Sequence, residues 1–363
     1  MKSEAEVQRY LSHIEISGFR NLKDVKVDLS PLTVLIGANG AGKSNFIRFF
    51  DLITWVKRGG DLGEWVIREG GADDQLFMGA RVSNEIRGSV TIAAYDSDEI
   101  CIYDFGMHVA SPDTLYIQNE RYRLKNSKRA SDSEDDLPYP EKHEVLFVSN
   151  FLDGCRVYQF HDTSKHAAIK KLQDTSNNIL LNSDGGNLAP ILLNLSENEP
   201  KRLKLIEKQI SRLLPTFDRF VLEPQHGKVM LRWRHKQGDK VMGAHLTSDG
   251  SLRLFSLITL LNLPSDMLPD VILLDEPELG LHPSAITLVA AMIERVAERH
   301  QIILATQSPF MVNCFELDNL VVADQEGGAT RLRKLNKEQY QDWLDDDFSV
   351  SELWLSNVLG GQP

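Results

Sequence analysis

The sequence Gly-Ala-Asn-Gly-Ala-Gly-Lys-Ser at residues 37–44 constrains the fold more than any other feature of this chain. It fits the pattern G-x4-G-K-[ST], in which glycines let successive backbone N–H groups turn inward around phosphate groups. A buried-strand pattern at 32–36 precedes this phosphate loop and helical spacing follows it, so the partly positive N-terminus of a helix faces the phosphates. The predicted nucleotide contacts are Gly37, Ala38, Asn39, Gly40, Ala41, Gly42, Lys43, Ser44 and the following Asn45.

Two side chains of the phosphate loop carry chemistry of their own. The ammonium group of Lys43 is placed to neutralise the β- and γ-phosphates of a nucleotide, and the Ser44 hydroxyl can ligate Mg²⁺. Lys43 is therefore a candidate catalytic residue, and Ser44 is a candidate metal ligand.

An acidic motif ends the apolar run at 271–274. Such a run is typical of a strand buried on both faces, and the acid that follows it lies at the carboxyl end of the strand, where α/β sheets bind their ligands. We therefore expect Asp275 to hold Mg²⁺, directly or through water. We expect the adjacent Glu276 to orient and polarise the attacking water.

Two more segments place polar residues at the ends of predicted elements. In Leu-Thr-Ser-Asp-Gly-Ser at 246–251, Ser248 and Gly250 predict a second anion site at a helix N-terminus, although an ordinary helix cap has the same residue types. In Thr-Gln-Ser-Pro at 306–309, Gln307 follows another buried strand and is expected to face the γ-phosphate. A phosphate loop and a separate phosphate-binding helix terminus together indicate that the nucleotide is shared between two protomers.

The alternation of strand and helix patterns indicates an α/β fold with a mostly parallel core sheet. Apolar and polar residues alternate, as in strands, at 14–29 before the phosphate loop and at 88–122 after it. This pattern predicts an antiparallel β subdomain. One or two more strands are expected within 145–160, and helical periodicity predicts an inserted lobe within 165–215.

These patterns divide the chain into four parts. We expect an N-terminal ATPase lobe at 1–160, the inserted helical lobe at 161–215, a C-terminal ATPase lobe at 216–340 and a tail at 341–363. The length of 363 residues suits about two domains of ordinary size.

The composition is that of an ordinary globular protein, with 42% hydrophobic and 25% charged residues, which excludes the disordered and fibrous classes. The three cysteines are far apart and outside any metal-binding pattern, which argues against a zinc site or a disulfide framework. No apolar run approaches the roughly 18 residues that span a bilayer, and the first residues lack the apolar core of a signal peptide. We therefore expect a cytoplasmic protein with no membrane partner.

The ordered set GANGAGKS, LTSDGS, LLDEPELGLHP and ATQSP resembles the ATP-binding-cassette (ABC) ATPases of the RecF/SMC/OLD branch. It is most similar to the RecF-like AAA-family ATPases, which include the ATPases of bacterial anti-phage defence systems. The resemblance implies a P-loop NTPase of the ABC-ATPase head type that dimerises head-to-tail around two ATP molecules. Ser248 and Gly250 of one subunit would touch the γ-phosphate held by Lys43 of the other, and residues 278–282 would cross the interface.

Some positions depart from that pattern or have more than one match to it. Gln307 stands where transporter-type cassettes have a histidine, and an amide cannot take a proton, which predicts slower or differently gated hydrolysis. The metal-contacting glutamine at the lobe junction has two candidates, Gln75 and the segment 160–163. No heptad repeat runs through 160–245, so we expect a compact lobe instead of the coiled coil of SMC ATPases. Arg20 resembles an early arginine that the family places near the nucleotide; a lone arginine after a strand is otherwise a surface residue.

The combined interpretation is a Mg²⁺-dependent ATPase that forms a homodimer or higher homo-oligomer around ATP. We expect it to couple ATP to DNA sensing or to a separate effector, a nuclease or toxin, in anti-phage defence or DNA repair. The net charge is −12, but basic stretches at 121–129 and 201–208 are candidates for binding duplex DNA, or else solvated surface. One alternative is a nucleotide-stabilised scaffold with little turnover that holds an effector protein. Another is the energising subunit of a transporter, which the N-terminus and the insertion disfavour.

Overall fold

The computed structural model describes residues 9–94, 99–126 and 142–362. Its strands are β1 (Arg9–Phe19), β2 (Leu22–Asp28), β3 (Leu32–Ile36), β4 (Glu85–Ala94), β5 (Glu99–Ala110), β6 (Thr114–Asn126), β7 (Cys155–Tyr158), β8 (Gln173–Asp174), β9 (Phe217–Phe220), β10 (Lys228–Val229), β11 (Arg232–His235), β12 (Val241–Gly243), β13 (Val271–Asp275), β14 (Gln301–Thr306), β15 (Leu320–Glu326) and β16 (Ala329–Lys334). Its α-helices are α1 (Lys43–Lys57), α2 (Leu62–Arg68), α3 (Lys142–Asp153), α4 (Leu188–Asn198), α5 (Pro200–Leu213), α6 (Asp249–Leu260), α7 (Pro283–Ala297), α8 (Pro309–Val312), α9 (Gln341–Asp345) and α10 (Val350–Leu355).

A six-stranded core sheet has the order β16-β15-β3-β14-β13-β7. Every pair in it is parallel except β15 with β16, which are antiparallel. All residues of β3, β13 and β14 are buried, because helices or the second sheet cover both faces of these strands. The prediction of an α/β fold with a mostly parallel core sheet is confirmed.

The carboxyl ends of four neighbouring core strands carry the polar residues of interest. The phosphate loop follows β3, Gln307 follows β14, Asp275 ends β13 and Gln159 follows β7. Because parallel strands end at the same edge of a sheet, these groups meet on one side of the molecule.

The predicted antiparallel β subdomain is present as a five-stranded sheet with the order β2-β1-β4-β5-β6. Its apolar face packs on α1 and on one face of the core sheet in a single buried cluster. The rings of Phe49 on α1 and Phe105 on β5, for example, stack with centroids 5.9 Å apart. The other face of the core sheet belongs to a second cluster, which it shares with α4, α5, α6 and α7.

The expectation of one or two strands within 145–160 is confirmed by one strand, β7, but the helix that fills the first part of this segment was not predicted. Residues up to Asp153 form α3, and only β7 is extended. Val148, Phe151 and Leu152 are buried while Leu146 is 57% exposed, which is helical spacing. The β-branched and aromatic residues of this segment favour strands locally, but packing against α1 and β7 decides for the helix.

The inserted segment is helical only in its second half. Before α4 the chain forms a short 3-10 turn at Ala168–Lys170 and the two-residue strand β8, which pairs with β10. Helices α4 and α5 then pack on α6. The helical prediction for 165–187 is therefore wrong. The backbone of this segment is mostly irregular, and side-chain hydrogen bonds such as those of Asn187 stabilise it. The domain boundaries themselves remain predictions.

Within the described residues, no helix is long and apolar enough to cross a membrane.

Candidate functional site

The phosphate loop leaves β3 and ends in the first turn of α1. Gly40 and Gly42 have φ angles of +81° and +102°, in the left-handed region that favours glycine. Among the described side chains none caps the N-terminus of α1. The N–H groups of the first turn therefore lack a side-chain acceptor, and a helix N-terminus in that state binds anions such as phosphate.

Neighbouring elements hold the loop from outside. The Thr330 hydroxyl on β16 donates to the Ala41 carbonyl at 2.9 Å, and its N–H donates to the Asn21 carbonyl at 2.8 Å. Asn45 donates through Nδ2 to Asn21 Oδ1 at 2.8 Å. A Cβ at Gly42 would lie 2.0 Å from Thr330 Oγ1, so this packing has room for glycine alone.

The Lys43 side chain lies inside the loop and is 5% exposed. Its Nζ donates to the carbonyl oxygens of Gly37 at 2.7 Å and Ala38 at 2.9 Å. An ammonium has three N–H donors, so one remains beyond these two bonds for a phosphate oxygen. Burial lowers the pKa of the Lys43 ammonium.

Asp275 is the meeting point of three elements. Its carboxylate is 4% exposed; Oδ1 accepts from Ser44 Oγ of α1 at 3.1 Å, and Oδ2 accepts from Gln159 Nε2, just after β7, at 2.7 Å. The structure thus brings together the two predicted metal ligands. Our sequence reasoning missed Gln159, which directly precedes the candidate segment 160–163. The available signal was a polar residue directly after a short strand.

This arrangement suits Mg²⁺. The hydroxyl, the carboxylate and the amide oxygen of these three side chains are the hard ligands that Mg²⁺ prefers. Asp275, Glu276 and Glu278 all lie close enough to Lys43 to raise its pKa against the effect of burial, so three carboxyl groups are near one ammonium. In the described parts of the chain, no cluster of three or more His, Cys, Asp or Glu could hold a metal. An ion here would therefore complete its shell with water and phosphate oxygens.

Glu276 has a strained backbone. Its φ is +44°, which is unusual for a residue other than glycine and costs about 1–3 kcal/mol. A hydrogen bond from its N–H to the Ala305 carbonyl of β14, at 2.8 Å, holds this conformation. Such strain next to Asp275 is typical of a functional position.

Glu278 connects this motif to the segment that contains Gln307. Its Oε1 accepts from the Thr306 hydroxyl, and the Gln307 N–H lies close enough to the carboxylate to lower its pKa against the effect of burial. Burial raises the pKa of Glu278 to about 6. The side chain is 7% exposed, and its Oε2 has no hydrogen-bond partner among the described residues. Sequence reasoning had placed Glu278 only in the loop that crosses between subunits.

Arg20 lies beside the start of α1 and is not a surface residue. Its side chain is 18% exposed and binds Glu69; Nη1 donates to Asn45 Oδ1 at 3.3 Å, and Nε and Nη2 donate to Gln75 Oε1 at 3.0 and 2.8 Å. Gln75 Nε2 donates to the carbonyls of Glu69 and Gly71. All four hydrogen-bonding positions of Gln75 are therefore occupied, which leaves none for a metal.

The second predicted anion site lies at the N-terminus of α6. Ser248 is exposed and caps the helix by accepting from the Ser251 N–H at 3.3 Å. Gly250 packs against the loop after β13, since a Cβ there would lie 2.6 Å from the Gly280 carbonyl oxygen. Within the described chain, no hydrogen bond or ion pair joins Ser248 or Gly250 to the phosphate loop.

Comparison with known proteins gives the family. The sequence profile described as "AAA domain, putative AbiEii toxin, Type IV TA system" matches residues 32–313. The Old nuclease of Escherichia phage P2 is 22% identical over 375 residues, which cover 92% of this chain and 62% of that protein. The OLD nuclease of Thermus scotoductus (strain ATCC 700910 / SA-01) is 42% identical over 43 residues, 12% of this chain and 8% of that protein. The chain spans less than two thirds of the length of these curated relatives.

Among solved structures, the SMC head bound to the C-winged helix domain of ScpA has a TM-score of 0.62 at 18% identity and covers 92% of this chain and 99% of that chain. The Smc head with an extended coiled coil, bound to the C-terminal domain of ScpA and derived from Pyrococcus furiosus, has a TM-score of 0.58 at 17% identity, covering 93% and 99%. This likeness concerns the fold and confirms the ABC-ATPase head type. The chain belongs to the AAA_21 family, as a RecF/SMC/OLD-like member of the ABC-type ATPases.

Proposed function

We propose that this chain is a Mg²⁺-dependent ATPase whose sites are completed by a second copy of the chain. The observation that carries the proposal is the 3.1 Å hydrogen bond from Ser44 Oγ, on the phosphate-loop helix, to Asp275 Oδ1. A hydroxyl and a carboxylate at that distance are close enough to ligate one ion. Mg·ATP, when bound, would supply an electrophilic γ-phosphorus with ADP as the leaving group.

Each neighbouring side chain then has a distinct role. Lys43 and the first-turn N–H groups of α1 bind and orient the phosphates. The Glu276 carboxylate positions a water molecule in line with the γ-phosphorus and accepts its proton. The Gln307 amide hydrogen-bonds the water or a phosphate oxygen without taking a proton, and Gln159 orients Asp275.

The exposed position of Ser248 supports the involvement of two copies. In its own chain this helix terminus makes no bond to the described phosphate loop, and Ser248 is exposed where another molecule can reach it. In a head-to-tail dimer Ser248 and Gly250 would approach the γ-phosphate held by the partner copy. The bound nucleotide would then link the subunits.

The test of the composite site is Glu276→Gln. This change removes the proton acceptor but keeps Lys43, Ser44 and Asp275, so ATP binding should survive while single-turnover hydrolysis falls by about 10²–10⁴-fold. ATP that is not hydrolysed should hold the dimer together, which size-exclusion chromatography with light scattering measures. Rapid hydrolysis by this variant would contradict the role of Glu276.

The Ser248→Arg change in the same background should release the dimer, because it places bulk and charge against the partner's nucleotide. Ser176→Arg, at an exposed serine after β8, is the matched control and should leave the ATP-dependent dimer intact. If the Glu276→Gln protein has the same molecular mass with and without ATP, and Ser248→Arg does not change that mass, the site is not shared between subunits.

We further propose that the nucleotide state controls DNA binding or a separate nuclease or toxin effector, in anti-phage defence or DNA repair. Relatives named Old nuclease and a family description that mentions a toxin support this link. Of the two basic stretches, the one on α5 is the better candidate for binding DNA, because its basic side chains lie along a groove. Lys204, Lys208 and Arg212 line a groove with Lys236 of the β11–β12 connection, facing two acids.

The other basic stretch is a weaker candidate. Arg123 on β6 is already paired with Asp104, with Nη2 and Oδ2 2.7 Å apart. Residues 127–129 lie outside the described part of the chain. We therefore expect α5, and not β6, to make the main contacts with DNA phosphates.

A scaffold that binds ATP with little turnover is the second candidate, and Gln307 is the observation that favours it. An amide at this position cannot relay a proton, which slows hydrolysis. A single-turnover ATPase assay with and without duplex DNA separates the two candidates. Release of phosphate that DNA accelerates supports the ATPase, whereas stable bound ATP under both conditions supports the scaffold.

A further inference from the structure

Residues 359–362, after α10, return to the phosphate loop; we call them the glycine strap. The Gly361 carbonyl accepts a hydrogen bond from the Ala38 N–H at 2.6 Å. Gly361 is buried, and a Cβ there would lie 3.4 Å from Gly37 Cα and 2.8 Å from Val322 Cγ1. The strap therefore occupies the space between β15 and the first residues of the phosphate loop.

Several bonds hold the strap in place. The Gly361 N–H donates to Asp324 Oδ1 at 2.7 Å, and Arg333 Nη2 donates to the Leu359 carbonyl at 2.6 Å. The Leu359 side chain is fully buried. Gly360 and Gly361 have φ angles of +78° and +82°, so glycine is the residue that adopts this turn without strain. The contact with the phosphate loop is thus part of a packed and hydrogen-bonded structure.

The peptide group between Gly37 and Ala38 links the strap to Lys43. Its carbonyl, on Gly37, accepts from Lys43 Nζ at 2.7 Å. Its N–H, on Ala38, donates to Gly361. In a trans peptide the N–H and C=O point in opposite directions, so this one group lies between the ammonium and the strap. Hydrogen bonds in such a chain polarise and strengthen one another.

We propose that the glycine strap is a positioning element for Lys43. By binding the Ala38 N–H, it sets the orientation of the peptide whose carbonyl holds the Lys43 ammonium at the phosphate site. Gly37 has no side chain that would restrict this peptide, so the bond from the strap adds a restraint from outside the loop to the bond that Lys43 makes within it. Gly361 and Asp324 therefore set the affinity for ATP, although neither touches the nucleotide. The inference rests on the proposed function, since it concerns the same site.

Two variants test the strap from different sides. Gly361→Val would push the strap away from Val322 and Gly37. Asp324→Ala would remove the carboxylate that accepts from the Gly361 N–H. Each is expected to weaken ATP binding by about 3- to 10-fold, the effect of losing one hydrogen bond. Asp324→Asn keeps an oxygen at the same place and should restore affinity close to that of the original chain. Isothermal titration with ATP and Mg²⁺ measures the dissociation constant, and thermal unfolding is recorded beside it.

The control is Gly327→Val in the β15–β16 turn. Gly327 also has a positive φ, +58°, but a Cβ there would meet nothing within 4 Å. This variant should lower stability without changing ATP affinity. Unchanged ATP affinity in folded Gly361→Val and Asp324→Ala proteins would overturn the proposal, as would equal weakening in Gly327→Val. An original chain that binds no ATP would instead overturn the proposed function.

Discussion

Glu278 should make a contribution to the stability of the folded protein that falls as the pH rises. Burial raises its pKa from 4.5 to about 6 in the folded chain. The folded state therefore binds this proton more tightly than the unfolded chain. Its contribution to stability is fully present below pH 4.5 and is lost as the pH rises through about 6. The difference between the two pKa values corresponds to roughly 2 kcal/mol.

Glu278→Gln should remove this dependence. The glutamine retains an oxygen that can accept from the Thr306 hydroxyl, but it has no proton to lose between these pH values. At about 2.1 cal/mol/K per residue, roughly 2 kcal/mol corresponds to a change in Tm of about 2–3 °C for a chain of this length. The Tm of the variant minus that of the original chain should therefore increase by about 2–3 °C from pH 4.5 to pH 8, measured by thermal unfolding.

Glu298→Gln at the exposed C-terminal end of α7 is the control for removal of one carboxyl group. A Tm difference for Glu278→Gln that stays constant across this pH range would refute the argument that burial resists ionisation of Glu278. A difference that shrinks with rising pH would show that the site stabilises the anion instead.

Three further changes test other parts of the site. Lys43→Ala should abolish ATP binding in isothermal titration, because the loop loses its ammonium; ATP affinity equal to that of the original chain would refute the phosphate-loop assignment. Gln159→Ala leaves Asp275 Oδ2 without its amide partner and should raise the Mg²⁺ concentration for half-maximal ATPase activity by about 10-fold, whereas an unchanged value would separate Gln159 from the ion. Replacing Lys204 and Lys208 with Gln should weaken duplex-DNA binding equally for all sequences and reduce its salt dependence, and an unchanged salt slope would indicate ordinary surface.

Local sequence patterns were sufficient to predict much of the core sheet and the phosphate loop. The phosphate loop is recognisable because its glycines and the residues on either side encode a strand, a turn with positive φ angles and a helix within a few residues. The apolar runs of β13 and β14 are equally local, since a strand buried on both faces needs apolar side chains at every position. Segment 145–153 shows a limit of this reasoning, because its residues favour strands locally and its packing favours the helix α3, which was not predicted.

The sequence by itself therefore determined the α/β fold, the phosphate loop and the order of the motifs, all of which follow from short-range residue patterns. Tertiary structure alone decided that Gln159 binds Asp275, 116 residues away, and that Gln75 binds Arg20. It also decided that Glu278 is buried and that Gly361 reaches the phosphate loop. The physical reason is that hydrogen-bond partners and pKa values depend on which segments the strand order brings together, and the residues next to each group in the chain do not specify those neighbours.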